Sequence, residues 1–198
     1  MNLPMILGLV IISMGAGAVV TMLGYYNPFM ITSAILSTVG AGLMSTFETD
    51  TNHAQWIGYQ FILGAGLGFG LQQVMVAVQT CLEGADIAIG TAIMMFTQTL
   101  GGAVFLAVAQ NIFQNQLVSN VAAAHIEGLD PAAVLAAGAT ELKTVFPAKF
   151  MPAVLHAYND ALTQTFYVAT GTAGVTIFGA LVIEWKSVKG KKVEPSAA

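Results

Sequence analysis

Long apolar runs alternate with short polar breaks along most of the chain. No charged side chain occurs before Glu48, yet this first stretch is too long for one membrane crossing, which takes about 20 apolar residues. The motif Gly24–Pro28 divides it, because a proline disfavours helical geometry in the preceding residue and suits the first turn of a new helix. The pattern predicts five membrane-spanning helices, at about residues 4–23, 28–47, 56–82, 87–113 and 161–185.

One long polar connection, residues 114–160, interrupts this pattern. Asp130 is a typical helix N-cap and Pro131 suits the first helical position, so a short helix is predicted over residues 132–144. Pro147 should end it, because a proline cannot continue the hydrogen-bond ladder of a helix. We expect the connection to be a loop with short helices that lies on the membrane surface or caps the bundle.

The lysines predict the orientation of the chain. Four of the six lysines lie directly after the fifth apolar run, in the segment 186–198. Positively charged residues beside membrane helices remain on the cytoplasmic side. We therefore expect a cytoplasmic tail at 186–198 and an extracellular loop at 114–160. Counting back, the turns at 25–28 and 83–86 face the cytoplasm, and the first residues of the chain face outside.

Composition supports a membrane location. The chain is 56% hydrophobic and only 8% charged, whereas soluble domains carry about 25% charged residues. So few charges cannot cover the surface of a soluble fold of this size, and the lipid bilayer is the natural surrounding. The predicted fold class is all-α, a polytopic transmembrane helix bundle. A net charge of −4 and the lack of a basic face argue against a nucleic-acid partner.

Few residues offer reactive chemistry. His156 and Asp160 stand four residues apart on one helix face, and such a pair can sense pH or assist catalysis. A solvated pair near the outer membrane interface is the favoured interpretation, because no nucleophile accompanies it. Cys81, the single cysteine, cannot form an internal disulfide or provide zinc-site spacing. We therefore predict no catalytic residue, no metal and no enzyme activity.

Alternating glycines mark the third apolar run, at Gly64, Gly66, Gly68 and Gly70. A nucleotide-binding loop carries similar glycines, but it follows a strand in a βαβ unit, and none is predicted here. Inside a membrane helix the glycines form two GxxxG pairs, which allow a neighbouring helix to approach closely. They could also permit sliding or bending. We predict a packing role for them, and the same role for Gly101 and Gly102 on the fourth helix.

Uncharged amides lie inside two of the predicted membrane helices. Gln72 and Gln79 share a face of the third helix because seven residues separate them, and Gln98 shares a stripe with Phe105 on the fourth. An amide in lipid is costly unless it is paired, so the glutamines should point inward. They either join helices by hydrogen bonds or line a path for a mostly apolar substrate. All four residues are candidates for that substrate path.

Seven motifs along the chain carry a family resemblance: GYYNPF at 24–29, WIGYQ at 56–60, the glycine run with Gln72 and Gln73, IGTA at 89–92, QTLGGA at 98–103, QNIF at 110–113 and AYNDAL at 157–162. In this order and spacing they resemble the C-terminal region of the fungal 14-span drug:proton antiporters of the major facilitator superfamily. The resemblance covers about Leu3 to Lys189. By it, the five spans correspond to the last five of fourteen in a partial major facilitator fold.

The resemblance implies a role in transport. The family exports small hydrophobic organic molecules, such as drugs and toxins, across the plasma membrane by proton antiport, with the site between two halves and no cofactor. The family's cytoplasmic Gly-x-x-x-Asp-Arg/Lys-x-Gly-Arg/Lys loop and its glycine–proline antiporter motif are missing here, and no predicted span interior carries an ionisable group. We therefore expect a truncated product that needs the missing N-terminal half as its partner. The alternative is a non-transporting membrane protein whose GxxxG faces bind partner helices.

Overall fold

The computed structural model describes residues 2–49, 51–124 and 129–188. These residues form a short 3-10 helix at Ala148–Phe150 and six α-helices: α1 (Leu3–Leu23), α2 (Asn27–Met44), α3 (His53–Cys81), α4 (Asp86–Ala123), α5 (Pro131–Val145) and α6 (Met151–Val182). All except α5 are long and apolar enough to cross a membrane. The predicted all-α transmembrane bundle with about five spans is confirmed.

The first helical break has the geometry that its residues favour. Gly24 adopts the left-handed region, with φ at 82°, and its N–H donates to the Val20 carbonyl at 2.8 Å, which closes α1. A glycine takes this conformation without the penalty that a Cβ would bring. Asn27 and Pro28 then open α2, so only a tight turn separates the two membrane helices.

Two helices extend into the stretch predicted as a loop. α4 continues to Ala123 and α6 begins at Met151, whereas the predicted membrane spans end at 113 and begin at 161. The 38 residues of α4 are about 57 Å long at a rise of about 1.5 Å per residue, and the hydrocarbon core is about 30 Å thick. The predicted boundaries followed the change in polarity, which marks the edge of the membrane and not the end of a helix.

The extended helix ends pack with α5 around an apolar cluster that lies almost entirely outside the predicted spans. We call this unit the helical cap; its buried side chains are Leu117, Val121, Val134, Leu142, Val154, Ala157 and Ala161. The Asp130 side chain accepts a hydrogen bond from the Ala132 N–H at 3.0 Å and so caps α5, which is interrupted at Gly138. The polar connection between α4 and α6 is thus a packed unit in its described part.

The spanning helices have a definite order across the bundle. α3 makes its most extensive contacts with α1 and α2, α2 packs against α6, and α6 packs against α4. The order is therefore α1, α3, α2, α6, α4. α4 lies at one edge, and its most apolar stretch contains no buried residue within the part of the chain that the structure describes.

Candidate functional site

One pair of glycines on α3 faces α1. A Cβ placed on Gly68 would lie 2.6 Å from the Leu9 carbonyl oxygen, and one on Gly64 would overlap the main chain of Met5. The residue numbers on the two helices rise together, so α1 and α3 run parallel. The close contact is mutual, because a Cβ on Gly8 of α1 would stand 2.8 Å from the Phe61 carbonyl oxygen. The two backbones touch with no side chain between them.

The other pair of glycines faces α2. A Cβ on Gly66 would lie 2.5 Å from the Ser37 main-chain nitrogen, and one on Gly70 would overlap the Ser33 hydroxyl. These contacts run in opposite directions along the two chains, so α2 is antiparallel to α3. Residues two positions apart lie on nearly opposite sides of a helix. The alternating glycines therefore serve two different neighbours of α3, one on each side.

The glycines of α4 have a different environment. Nothing in the described residues comes within 4 Å of a Cβ built on Gly101 or Gly102. Phe105, one turn further along, is 54% exposed. The packing role of Gly101 and Gly102 remains a prediction, and any partner helix for them lies outside the described residues.

The four candidates for a substrate path are not enclosed together. Gln72 is exposed on the α1 side of α3, where its side-chain oxygen lies 3.5 Å from a Cβ built on Gly17, and Gln79 is half-buried. Gln98 and Phe105 are exposed on α4. Because α3 and α4 make few contacts with one another, these side chains surround no common cavity in the described part of the chain. Their role in a path remains a prediction.

The structure buries two further amides of α3 more deeply than the four candidates for a substrate path. Gln73 is 0% exposed and Gln60 is 4% exposed, both on α3. Among the described residues, neither polar side-chain atom of Gln73 has a hydrogen-bond partner, nor does the Gln60 oxygen. The signal for Gln73 was available: it stands three residues after Gly70 and seven after Gly66, on the face that contacts α2.

An open cavity of about 720 Å³ lies between the α2–α3 connection and α6. Its lining includes His156, Asp160 and Glu48, and all three side chains are exposed. This exposure fits the interpretation of His156 and Asp160 as a solvated pair. Asn159 stands beside them and donates a hydrogen bond to the Phe47 carbonyl at 2.8 Å, which ties α6 to the end of α2. None of the four path candidates lines this cavity.

Five long apolar helices, three of which meet backbone to backbone through glycine faces, define a polytopic integral membrane protein. Comparison with known proteins identifies the family within this class. An efflux pump of the major facilitator type from Arthroderma benhamiae is 54% identical over the whole chain, which spans 37% of that pump. An efflux pump of Penicillium rubens is 48% identical over 96% of the chain and 35% of its own length.

A third relative, an aspyridones efflux protein of Neocamarosporium betae, is 45% identical over 98% of the chain and 34% of its own length. No family model and no solved structure matches the chain. The chain belongs to the major facilitator superfamily of membrane transporters, and it spans about a third of the length of these relatives. The family resemblance seen in the sequence motifs is confirmed.

Proposed function

We propose that this chain is a segment of an efflux transporter, active as part of a longer protein that exports small hydrophobic organic molecules in exchange for protons. The uncovered state of α4 is the observation that carries the proposal. Its most apolar stretch has no buried residue within the described part of the chain, and the chain spans only about a third of its relatives. The rest of a transporter would supply the cover.

The polar side chains on α4 support the same view. Gln98 and the adjoining Gly101 and Gly102 face no helix of the described residues. An amide left in hydrocarbon is unfavourable, and membrane proteins turn such groups toward a neighbouring helix or a water-filled cavity. A second transporter half beside α4 would place Gln98 and Phe105 at the interface between the halves, where transporters of this kind bind their substrates.

Proton coupling would depend on the rest of the transporter. The predicted interiors of the five spans contain no aspartate, glutamate, lysine or arginine. A proton relay requires ionisable groups within the membrane. The coupling carboxylate therefore belongs to another part of the longer protein, while this segment contributes neutral hydrogen-bonding groups and apolar walls to the substrate path.

A chimera tests this proposal. The matched third of the Arthroderma benhamiae pump is replaced with this chain in yeast cells that lack their own drug exporters, and accumulation of a fluorescent hydrophobic dye is measured. We expect the chimera to lower accumulation, this chain alone to leave it unchanged, and Gln98→Ala in the chimera to weaken export several-fold through loss of a substrate contact. Gln110→Ala, on the same helix, is the matched control.

Two outcomes would contradict the proposal. A chimera that reaches the membrane but exports no dye favours the alternative, a partner-binding membrane protein whose Gly101 and Gly102 face another helix. Export by this chain alone would show that no further half is required.

We further propose that the protein lies in the plasma membrane with its tail in the cytoplasm and the helical cap outside. The clustered lysines after α6 support this orientation. In a Cys81→Ser background, Ser119→Cys in the cap should react with a membrane-impermeant maleimide on intact cells. Ala85→Cys, in the α3–α4 turn, should react only after the cells are permeabilised. The reverse labelling pattern would show the opposite orientation.

A further inference from the structure

The segment that follows α6 folds back onto the turn between α1 and α2. We call this segment, residues 183–188, the strap. The Val188 N–H donates to the Gly24 carbonyl at 2.8 Å, and Tyr25 and Ser187 form an isolated antiparallel bridge. The strap therefore joins, through main-chain contacts, two parts of the chain that are more than 150 residues apart.

Two buried side chains hold the first carbonyls of the strap. The Tyr26 hydroxyl donates to the Glu184 carbonyl at 2.7 Å. The Asn27 amide donates to the carbonyls of Ile183 and Glu184, at 3.1 and 3.2 Å. Ile183 is extended, with φ at −64° and ψ at 136°, so α6 ends there. Carbonyls beyond the end of a helix lack intrahelical donors, and these two receive donors from the start of α2 instead.

Burial makes these hydrogen bonds difficult to exchange for water. Tyr26 and Asn27 are both 0% exposed, and Val188 is 9% exposed. Tyr26, Val188 and Val20 form one apolar cluster. A buried donor that loses its acceptor pays the full cost of leaving water, so the two side chains and the strap hold one another in place.

The Tyr26 hydroxyl also reaches the end of α3. It lies 3.4 Å from the Cys81 sulfur, so one side chain contacts the α1–α2 turn, α3 and the strap. Burial raises the pKa of Tyr26 above its usual value, and the hydroxyl therefore keeps its proton and remains a donor at any physiological pH.

The outward side of the strap carries a local ion pair. The Lys186 ammonium lies 2.9 Å from the Glu184 carboxylate, and both side chains are exposed. The bond to Glu184 raises the pKa of Lys186. Exposed pairs of this kind contribute little to stability. The attachment of the strap thus depends on Tyr26 and Asn27 rather than on this pair.

We propose that Tyr26 and Asn27 form a latch for the strap, which keeps the end of α6 against α1, α2 and α3 until both side chains release their carbonyls. The latch makes the ends of α1, α3 and α6 move together with the start of α2. Removal of one donor weakens the latch, so the strap opens locally more often while the rest of the bundle keeps its packing. This device does not depend on the transport role proposed above.

Accessibility of Val188 tests the latch. In a Cys81→Ala background, which offers the Tyr26 hydroxyl no new hydrogen-bond partner, Val188→Cys places a thiol at the buried position. Its rate of reaction with a membrane-permeant maleimide reports how often the strap opens. The measurement uses the full 198-residue chain in native membranes. Tyr26→Phe removes one hydroxyl and retains the ring. It should raise the labelling rate about tenfold, as the loss of one hydrogen bond from a buried donor implies.

Matched controls separate local opening from general loss of stability. Tyr25→Phe removes the same group from the neighbouring, exposed ring and should leave the labelling rate unchanged. Leu117→Cys, in the helical cap, reports on the opposite end of the bundle. Its rate of reaction with the maleimide should be the same whether or not Tyr26→Phe is present. Asn27→Ala, which deletes the second donor, should accelerate labelling at position 188 in the same way.

Each alternative outcome overturns the latch. If neither Tyr26→Phe nor Asn27→Ala accelerates labelling at position 188, the strap is held by other contacts. If labelling rises equally at positions 188 and 117, the two side chains stabilise the bundle as a whole. If Tyr25→Phe has the same effect as Tyr26→Phe, the buried hydroxyl has no special role.

Discussion

Replacing Gly64 and Gly68 together with alanine is expected to force α1 away from α3 and to destabilise the protein by about 2–6 kcal/mol, since each overpacked site costs about 1–3 kcal/mol. A Cβ at Gly68 would stand 2.6 Å from the Leu9 carbonyl oxygen, and one at Gly64 would overlap the Met5 main chain. Main-chain atoms cannot rotate aside as a flexible side chain can. The helices must therefore separate, and the dispersion contacts that hold membrane helices together are lost along their length.

The midpoint of SDS-induced unfolding in mixed micelles measures this effect. Gly58→Ala is the matched control, because it lies on α3 as well and nothing described lies within 4 Å of a Cβ built there. Its midpoint should stay the same or rise slightly, since alanine favours a helix over glycine by about 1 kcal/mol. Equal midpoints for Gly58→Ala and for the double variant would show that α1 does not pack closely on α3.

Replacing Gln73 with leucine is expected to stabilise the protein by about 1–3 kcal/mol, the cost of a buried polar group without a partner. The Gln73 side chain is fully buried on the α2 side of α3, and neither of its polar atoms has a hydrogen-bond partner among the described residues. Leucine has a similar size and no polar atom, so it removes the penalty without leaving a cavity. SDS unfolding should show a higher midpoint for this variant.

Gln72→Leu provides the matched control at the neighbouring, exposed position. The change in residue type is identical, yet the midpoint should shift little because the Gln72 amide is not enclosed by protein. A fall in stability for Gln73→Leu would contradict the prediction, and it would indicate that the buried amide has a partner in the membrane.

The glycine run on α3 could be predicted from the sequence as a contact surface, but its partner helices could not. Alternating glycines in an apolar stretch predict close helix contacts, because only hydrogen occupies the place of a side chain. The pattern does not indicate which helices make these contacts. Gly68 meets α1 and Gly66 meets α2 because α3 lies between these helices in the folded bundle, and that placement depends on how all three pack.

The sequence also does not show which of two adjacent amides on α3 is buried. Gln72 and Gln73 are adjacent, have the same chemistry and lie in the same apolar run. α2 covers Gln73 and leaves Gln72 exposed. The glycine stripe could have indicated the covered face, but the choice between two adjacent faces was settled by the position of a helix that begins at Asn27.

By itself the sequence determined the membrane location, the fold class and the family of this protein. Scarce charges and runs of about 20 apolar residues require a bilayer. A run of that length crosses the bilayer as a helix, which satisfies its own backbone hydrogen bonds. Ordered motifs then identified the family. These features are local or compositional, so they need no knowledge of neighbours.

Only the tertiary structure decided where the helices end, what covers them and what the strap does. α4 continues to Ala123 because apolar side chains beyond the predicted span pack against α5 and α6 in the helical cap. The strap meets Tyr26 because α6 lies beside α2 and brings its end to the first turn. Such contacts join residues far apart in the chain, and their energy depends on distances that no local pattern records.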